Sequence, residues 1–461
     1  MKRLIVSGSV VLFMFLCSIT ITSAENNSVK VAFIRHHNLW IKVEGKEKQL
    51  TKGENITGPK WSHDGEWLAY VKGKKQNILE LYRLKDGKKV TPFHSEASNY
   101  QWSPTENIIA FIFTGTLNTF DVEKKNADFE NVSAGVGDYA WYPDGKNFLV
   151  SSEAHLLPTG WTGAQLYEVQ KDAHMNPHKM KHLYALPNEH DDFLALVASG
   201  FKWSPDQKWI SFLAVPTASW SADSNTLCLV CADGSRFEKV DQMLLNAQWF
   251  QWAPSKNILA YIEGSGRVAL ENKHLKVKEL PALQQNIFTP KGYVDWDFVW
   301  KNDRVIIVSR AKEAGIETPP EKRPLPSLYE VDSTSNAQHQ ITKKKNKQGD
   351  YHPIFMKKSN QLIWIRSDRK KADVWLAHKD GKQEKKWIEN IDVPAWYYEK
   401  WNCYLCVLFG FFFAGFPFPW RFLFCSSFAC FSCSVSKNSF ELLIFLSLLS
   451  FRPNYYNHLG G

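Results

Sequence analysis

One pattern of apolar and polar positions recurs along the central part of the chain. An aromatic residue is followed by a short polar turn, and the turn is followed by a continuous apolar run. Successive aromatic residues are 41, 39, 62, 49, 48 and 55 residues apart, close to the roughly 40 to 50 residues of a four-stranded propeller blade. The copies read WSHDGEWLAY from Trp61, WSPTENIIAF from Trp102, WYPDGKNFLV from Trp141, WSPDQKWISF from Trp203, WAPSKNILAY from Trp252 and, more weakly, WKNDRVIIV from Trp300 and FMKKSNQLIWI from Phe355.

Each part of the repeat has a physical reason. Pro fixes φ and Asp or Gly tolerates positive φ, so the polar segment reverses the chain between two strands. An apolar run such as Ile108 to Phe111 then predicts a strand buried between neighbouring sheets. The aromatic residue before the turn is expected to fill the gap between sheets.

Most copies continue into a further strand and a second turn, as in LELYRLKDGKKV from Leu79 and VWLAHKDGKQEK from Val374. The combined order resembles the TolB-like β-propeller repeat over roughly residues 31–401. The resemblance implies an all-β propeller of four-stranded blades around a central channel, and a role in protein or ligand binding. The same blades also occur as the non-catalytic lid of some serine peptidases.

The two ends of the repeat region are predicted to close the ring. Val31 to Thr51 match the second, third and fourth strands of a blade but lack the aromatic segment that should precede them. Asp392 to Trp396 (DVPAW) has the character of that missing first strand. Pairing the two ends would remove open sheet edges. With this strand the chain holds eight blades, and without it seven.

The N-terminal segment predicts export. Lys2 and Arg3 precede an apolar stretch from Leu4 to about Ile21, and small residues up to Ala24 form a cleavage site. We therefore expect residues 1–24 to be a signal peptide and the protein to be extracytoplasmic, whether periplasmic, cell-wall associated or secreted. An uncleaved membrane anchor and a lipoprotein attached at Cys17 are alternatives, the latter disfavoured by the bulky Leu16.

The C-terminal segment departs from the repeat. Residues 402–461 hold 13 of the 30 Phe and 5 of the 8 Cys, with only four charged residues. Residues 25–401 are accordingly predicted to form a single propeller domain, and residues 402–461 an atypical apolar tail. The tail is interpreted either as a membrane anchor or as a segment never selected to fold, such as one translated in a shifted frame.

The non-repeated loops indicate where binding should occur. The Asp-Gly turns should all lie on one face of the ring, and the insertions Glu153 to Gly163, Pro187 to Ser199, Ala214 to Asn225 and Ala311 to Pro326 on the other. Long loops on a rigid scaffold are the usual place for recognition. The net charge of +9 favours an anionic partner if the cations cluster. The candidate binding residues are His155, Trp161, His190, Trp220, Lys322, Arg323, Arg369 and Lys370.

Signals for catalysis and metal binding are weak. There is no G-x-S-x-G elbow, H-E-x-x-H motif or Gly-rich phosphate loop. Cys228 and Cys231 are three residues apart on a predicted strand and should point to opposite faces. His174, His178 and His182 recur every fourth residue, but the intervening Pro177 is incompatible with a helix that would align them.

No catalytic residue, metal site or cofactor is therefore predicted. The sequence favours an exported, non-catalytic binding scaffold at the cell envelope. Its expected partner is another envelope protein or an anionic polymer, and not a nucleic acid. The protein is expected to be a monomer. Membrane contact is left open. The alternative is a hydrolase or lyase with its active site in the propeller channel.

Overall fold

The computed structural model describes residues 29–73, 77–93, 97–125, 128–188, 193–280, 285–343 and 347–393. These residues form eight antiparallel sheets that follow one another along the chain, seven with four strands and the first with three. The all-β propeller with eight blades is thus confirmed. Across these ranges, no helix has the length and apolar character needed to cross a membrane.

Each blade is built from consecutive strands. Blade 1 contains β1 (Val31–Arg35), β2 (Asn38–Val43) and β3 (Lys46–Gln49). Blade 2 contains β4 (Thr57–Trp61), β5 (Trp67–Lys72), β6 (Ile78–Arg83) and β7 (Lys89–Val90). Blade 3 contains β8 (Ser98–Trp102), β9 (Ile108–Phe113), β10 (Thr116–Asp121) and β11 (Glu130–Ala134). Blade 4 contains β12 (Val136–Trp141), β13 (Asn147–Ser152), β16 (Gln165–Gln170) and β17 (Met180–Ala185), with the hairpin β14 (Leu156–Leu157) and β15 (Gly160–Trp161) inserted after β13.

The second half of the ring follows the same plan. Blade 5 contains β18 (Val197–Trp203), β19 (Trp209–Val215), β20 (Asn225–Cys231) and β21 (Phe237–Met243), with the short helix α1 (Ala218–Ser221) after β19. Blade 6 contains β22 (Phe250–Trp252), β23 (Ile258–Glu263), β24 (His274–Glu279) and β25 (Gln285–Ile287). Blade 7 contains β26 (Tyr293–Trp300), β27 (Val305–Lys312), β28 (Ser327–Asp332) and β29 (Gln338–Gln340). Blade 8 contains β30 (Gly349–Met356), β31 (Gln361–Ser367), β32 (Ala372–His378) and β33 (Lys385–Ile391). Single-turn 3-10 helices cover Pro177–Lys179, Ala247–Trp249 and Pro320–Lys322.

The first strand of each four-stranded blade lies at the centre of the ring. First strands of successive blades contact one another, for example β12 with β18 and β26 with β30. The remaining strands follow outwards in sequence order. The first strands therefore surround the central channel.

The core lies between the blades. The middle strands are covered on both sides by neighbouring sheets, so they read as continuous apolar runs rather than as alternating ones. In β9, Ile109, Ala110 and Phe111 are fully buried, which confirms the strand predicted from Ile108. Clusters of buried residues from adjacent blades, such as Phe111 with Trp67, supply the apolar contact that holds the ring together.

The recurring aromatic residues do more than fill the gaps between sheets. We call Trp61, Trp102, Trp141, Trp203, Trp252, Trp300 and Phe355 the anchor aromatics. In several blades the indole N–H donates to the carbonyl of the residue just before the preceding blade's anchor. The bonds are Trp102 to Lys60 at 3.0 Å, Trp141 to Gln101 at 3.3 Å, Trp252 to Lys202 at 3.2 Å and Trp300 to Gln251 at 3.0 Å.

A second set of bonds runs in the opposite direction around the ring. The residue before an anchor donates from its side chain to a backbone carbonyl of the next blade, two residues before the next anchor. Lys60 reaches Tyr100, Gln101 reaches Tyr139, Lys202 reaches Phe250 and Gln251 reaches Phe298, at 2.7 to 2.9 Å. The anchors and their preceding residues thus form a belt of reciprocal hydrogen bonds, called the belt below.

The two ends of the described chain meet at blade 1. Asp392 N donates to the carbonyl of Ile34 at 2.9 Å, and the Asp392 carboxylate accepts the backbone N–H groups of His36 and His37 at 2.7 and 2.8 Å. Both histidines adopt positive φ, which turns their N–H groups towards one anion.

The register of this contact matches the predicted closing strand. In blade 2, Thr57 lies four residues before the anchor Trp61. Thr57 pairs with Val71 and Trp61 pairs with Leu68, so their partners on the second strand are three residues apart. Asp392, which bonds to Ile34, stands four residues before the aromatic residue of DVPAW in the sequence, as Thr57 stands four residues before Trp61. Residues 394–396 lie outside the described residues, as do the predicted signal peptide and the apolar tail.

Candidate functional site: the loop face and the channel mouth

The two faces of the ring are built from different connections. In an antiparallel blade, the connections between second and third strands and between successive blades emerge on one face, here called the loop face. The connections between first and second strands and between third and fourth strands emerge on the other, here called the turn face. All four predicted insertions therefore share the loop face.

On the turn face, side-chain hydrogen bonds join neighbouring blades. Asn107 Nδ2 donates to Asp64 Oδ2, and Asn257 Nδ2 donates to Asp206 Oδ2, both at 2.8 Å and both between neighbouring blades. Burial alone would raise the pKa of Asp64 and of Asp206, but their hydrogen bonds outweigh it and lower each pKa below the ordinary value. The carboxylates of Asp64 and Asp206 therefore each connect two neighbouring blades.

On the loop face, blade 4 carries a braced hairpin with an apolar tip. Leu156 pairs with Trp161 and Leu157 with Gly160. At the base, His155 and Thr162 exchange two hydrogen bonds, and Ala154 N donates to the Leu196 carbonyl at 3.0 Å. Leu156 is 65% exposed and Leu157 is 49% exposed. We refer to β14, β15 and their turn as the leucine hairpin.

The two predicted contact tryptophans are half-buried. Trp161 lies on the leucine hairpin, and its carbonyl accepts a hydrogen bond from Asn188. Trp220 lies in α1 of blade 5, in a loop tied to blade 6 by the Asp223–Arg267 ion pair at 2.7 Å. His155 is exposed. His190 lies outside the described residues.

The predicted cations converge over blades 7 and 8. Arg369 Nη2 donates to the Arg323 carbonyl, and Arg323 Nε donates to the Thr318 carbonyl, both at 3.0 Å. Lys322 and Lys370 are exposed beside them. The seven candidates that the structure describes therefore do not form one site. They divide into a blade 4 group with His155 and Trp161, a blade 5 position with Trp220, and a blade 7–8 group with the four cations.

The structure adds a set of residues that the sequence pattern did not reveal. In six blades the register of the first strand shifts between one and five residues before the anchor, and such bulges re-aim side chains. The residue three before the anchor, called the mouth position, lies within the first strand in six blades and in the 3-10 turn just before β22 in blade 6. The mouth positions of blades 2 to 8 are Gly58, Asn99, Asp138, Gly200, Trp249, Asp297 and His352.

Mouth residues of neighbouring blades contact one another. Asn99 Nδ2 donates to Asp138 Oδ1, and Gly200 N donates to Asp138 Oδ2 at 3.3 Å, so one carboxylate joins blades 3, 4 and 5. Burial raises the pKa of Asp138 to about 7, against the opposing effect of the backbone N–H groups and Lys60.

Blades 7 and 8 meet through an ion pair at the same level. His352 Nδ1 lies 3.1 Å from Asp297 Oδ2, with the histidine side chain 40% exposed and the aspartate 8% exposed. Burial alone would lower the pKa of His352, but the charge and hydrogen bond of Asp297 raise it above the ordinary value. His352 also has positive φ, which is uncommon outside glycine and is concentrated at functional sites.

The cysteine and histidine motifs do not come together as sites. Cys228 is fully buried and Cys231 half-buried on β20, and burial raises the pKa of the Cys228 thiol. His178 lies in a 3-10 turn, while His182 lies on β17 against Gln165. Among the residues that the structure describes, no three metal-binding side chains are grouped.

The ring of eight sheets, its belt and its elaborated loop face define a β-propeller protein. Residues 7–186 match the family described as eukaryotic translation initiation factor eIF2A, which is less than half of the chain. A crystal structure of a eukaryotic initiation factor superposes with a TM-score of 0.52 over 81% of this chain and 89% of that one, at 15% identity. At this identity the likeness concerns the fold alone.

Two further comparisons cover part of the chain. The uncharacterized peptidase YuxL of Bacillus subtilis (strain 168) is 26% identical over 185 residues, which are 38% of this chain and 25% of that protein. The match therefore spans about a quarter of the length of this curated relative. TolB from Acinetobacter baumannii superposes with a TM-score of 0.33 over 67% of this chain and 62% of that one, at 13% identity. A β-propeller family is supported, and the TolB-like type of repeat stays a prediction.

Proposed function

We propose that this protein is an exported, non-catalytic binding platform of the cell envelope, and that its contact surface is the loop face. The observation that carries the proposal is the difference between the faces. On the turn face, the carboxylates of Asp64 and Asp206 bond to neighbouring blades. Both faces carry exposed lysines, but among the described residues it is the loop face that presents two adjacent exposed leucines, on the leucine hairpin. Exposed apolar residues beside polar ones are typical of interaction sites.

The experiment is capture of partners from the envelope fraction with the full chain and matched variants. The double variant Trp161→Ala and Lys370→Glu alters the loop face on two sides of the ring. The double variant Lys208→Glu and Lys256→Glu alters exposed positions of the turn face and serves as control. We expect the loop-face variant to lose the proteins or polymers that the wild type and the control retain. Equal capture by all three would refute the assignment of the face.

A second candidate function rests on the channel mouth. Asp138 with a pKa of about 7 and the Asp297–His352 pair place groups that can exchange protons on the first strands, which surround the channel. General acid–base catalysis needs such groups near the working pH. A hydrolase or lyase of this kind would lose turnover in His352→Gln while keeping its affinity for substrate. The peptidase match, confined to a quarter of that relative, adds no catalytic residue to this hypothesis.

A further inference from the structure

Among the described residues, two exposed apolar points lie in loop-face connections between second and third strands, three blades apart, and Ile287, 56% exposed, ends β25 on the same face. One is the leucine hairpin of blade 4. The other is Ile316, 46% exposed in the connection between β27 and β28 of blade 7. Because both are loop-face connections, a single extended surface laid against this face would reach both.

The hairpin has the character of an inserting tip. Leu156 and Leu157 are adjacent on one strand, so their side chains point to opposite sides of the hairpin, and both are exposed. A flat protein surface would cover only one side, whereas an apolar medium that surrounds the tip covers both. From Ala154 to Tyr167 the sequence contains no Asp, Glu, Lys or Arg, so insertion would not require a full charge to lose its water.

Cations accumulate over the opposite part of the same face. Among the described loop-face positions of blades 7 and 8, seven lysines and four carboxylates are exposed. Each lysine near an anionic membrane surface contributes about 1 kcal/mol of attraction. The lysines are Lys291, Lys312, Lys322, Lys343, Lys347, Lys370 and Lys371, and the carboxylates are Glu313, Glu317, Glu321 and Asp368.

From these observations we infer that the loop face docks on a lipid surface containing anionic headgroups, with the leucine hairpin and Ile316 inserted and the lysines of blades 7 and 8 against the headgroups. Trp161, half-buried on the hairpin, would lie at the level where aromatic side chains favour the membrane interface. This inference rests on the proposed function, because it names the partner of the same face.

The test measures amide hydrogen exchange of the full chain with and without vesicles of phosphatidylglycerol and phosphatidylcholine in a 1:3 ratio. We expect residues 154–163 to gain protection on addition of these vesicles. Reading protection at the hairpin itself separates this contact from binding through any other part of the chain. Unchanged exchange of the hairpin on chain that is bound to vesicles would overturn the inference.

Variants supply the quantitative test. Leu156→Ser with Leu157→Ser should weaken vesicle binding roughly tenfold or more, because two partly exposed leucines no longer insert. Lys322→Glu with Lys370→Glu should weaken vesicle binding by about fivefold or more per position. This loss should be smaller at high salt, because salt screens the attraction. The controls are Met175→Ser, at a turn-face residue that is 46% exposed, and the pair Lys208→Glu and Lys256→Glu.

The outcomes also separate this inference from the proposed function. If vesicles leave the hairpin unprotected while envelope proteins or polymers are still captured through the loop face, the lipid assignment is wrong and the platform stands. If the turn-face controls weaken vesicle binding as much as the loop-face variants do, docking through the loop face is also refuted.

Discussion

Blades 7 and 8 hold the loop-face ends of their sheets differently from blades 4 and 5. Five residues before the anchor, blades 4 and 5 pair Val136 with Ser152 and Ala198 with Ala214. At the same register, blades 7 and 8 pair Asp295 with Arg310 and Asp350 with Arg366. Both ion pairs are buried, with all four side chains no more than 5% exposed.

The difference teaches that one backbone register accepts either small neutral contacts or a buried charge pair. The charge pair adds bonds that the neutral contacts lack. Arg310 also donates to the Phe288 carbonyl, and Asp295 accepts from Thr289, so the pair fixes the connection that enters blade 7. Because a buried ion pair is weak evidence for added stability, we interpret these pairs as fixing local geometry at the loop-face ends of blades 7 and 8.

The largest effect is expected from breaking one partner of a pair. Asp295→Ala leaves Arg310, 1% exposed, without its carboxylate, and should lower the free energy of unfolding by roughly 3 to 5 kcal/mol. Urea denaturation measures this value. Replacing both partners, Asp295→Leu with Arg310→Met, should restore most of the loss. If the unfolding free energy of Asp295→Ala were within about 1 kcal/mol of the wild-type value, the ion pair would not be needed for stability.

A smaller effect is expected from making blade 7 resemble blade 8 at the belt. Blade 8 has Phe355 as its anchor, whereas the Trp300 indole of blade 7 donates to Gln251. Trp300→Phe removes this bond and should cost about 1 to 2 kcal/mol of unfolding free energy. Trp203→Phe is the matched control, since no inter-blade bond of its indole occurs among the described residues. Equal losses of unfolding free energy in both variants would mean that the volume of the indole is responsible, and not its hydrogen bond.

The smallest effect concerns the ion pair that joins blades 7 and 8 at the mouth. The pKa of His352 is raised in the folded protein, so its stabilisation is present below the unfolded value near 6.5 and is lost as the pH rises through the folded value. Because the imidazole is 40% exposed, water screens the pair and limits the effect to about 0.5 to 1 kcal/mol.

We therefore expect His352→Gln to be less stable than wild type at pH 5.5 and equal to it at pH 9, as measured by thermal or urea unfolding. A difference that is the same at both pH values would indicate lost packing instead of a lost charge interaction. Titration of the imidazole by NMR gives an independent reading of the direction of the pKa shift.

The repeat could be read from the sequence because its signals are local. The turn residues and apolar runs around Trp102 or Trp203 specify a strand, a reversal and a second strand within ten residues. The closing contact was also accessible, since DVPAW shares a proline two residues before its aromatic residue with TGPKW at Trp61. The contact of Asp392 with Ile34 has the register that this comparison requires.

The mouth residues were missed because the irregular register of the first strands changes which side chains face the channel. Asp138 and His352 give no local signal of a shared level in the ring, and only aligning all copies on the anchor shows it. The same alignment would have exposed Asp295 and Asp350 as charged residues in an otherwise small or apolar column. The exposure of Leu156 and Leu157 depends on a hairpin built by tertiary contacts with Leu196, which periodicity does not report.

The contact between Asp392 and the turn at His36 and His37 joins positions about 356 residues apart. Non-local contacts of this kind form late, because the chain entropy of closing so long a loop must be offset by contacts already made. During synthesis, the N-terminal strands therefore wait for the end of the repeat region before their blade is complete. A polypeptide that ended before residue 392 would lack the final step of assembly and expose the inner edge of blade 1 to other chains.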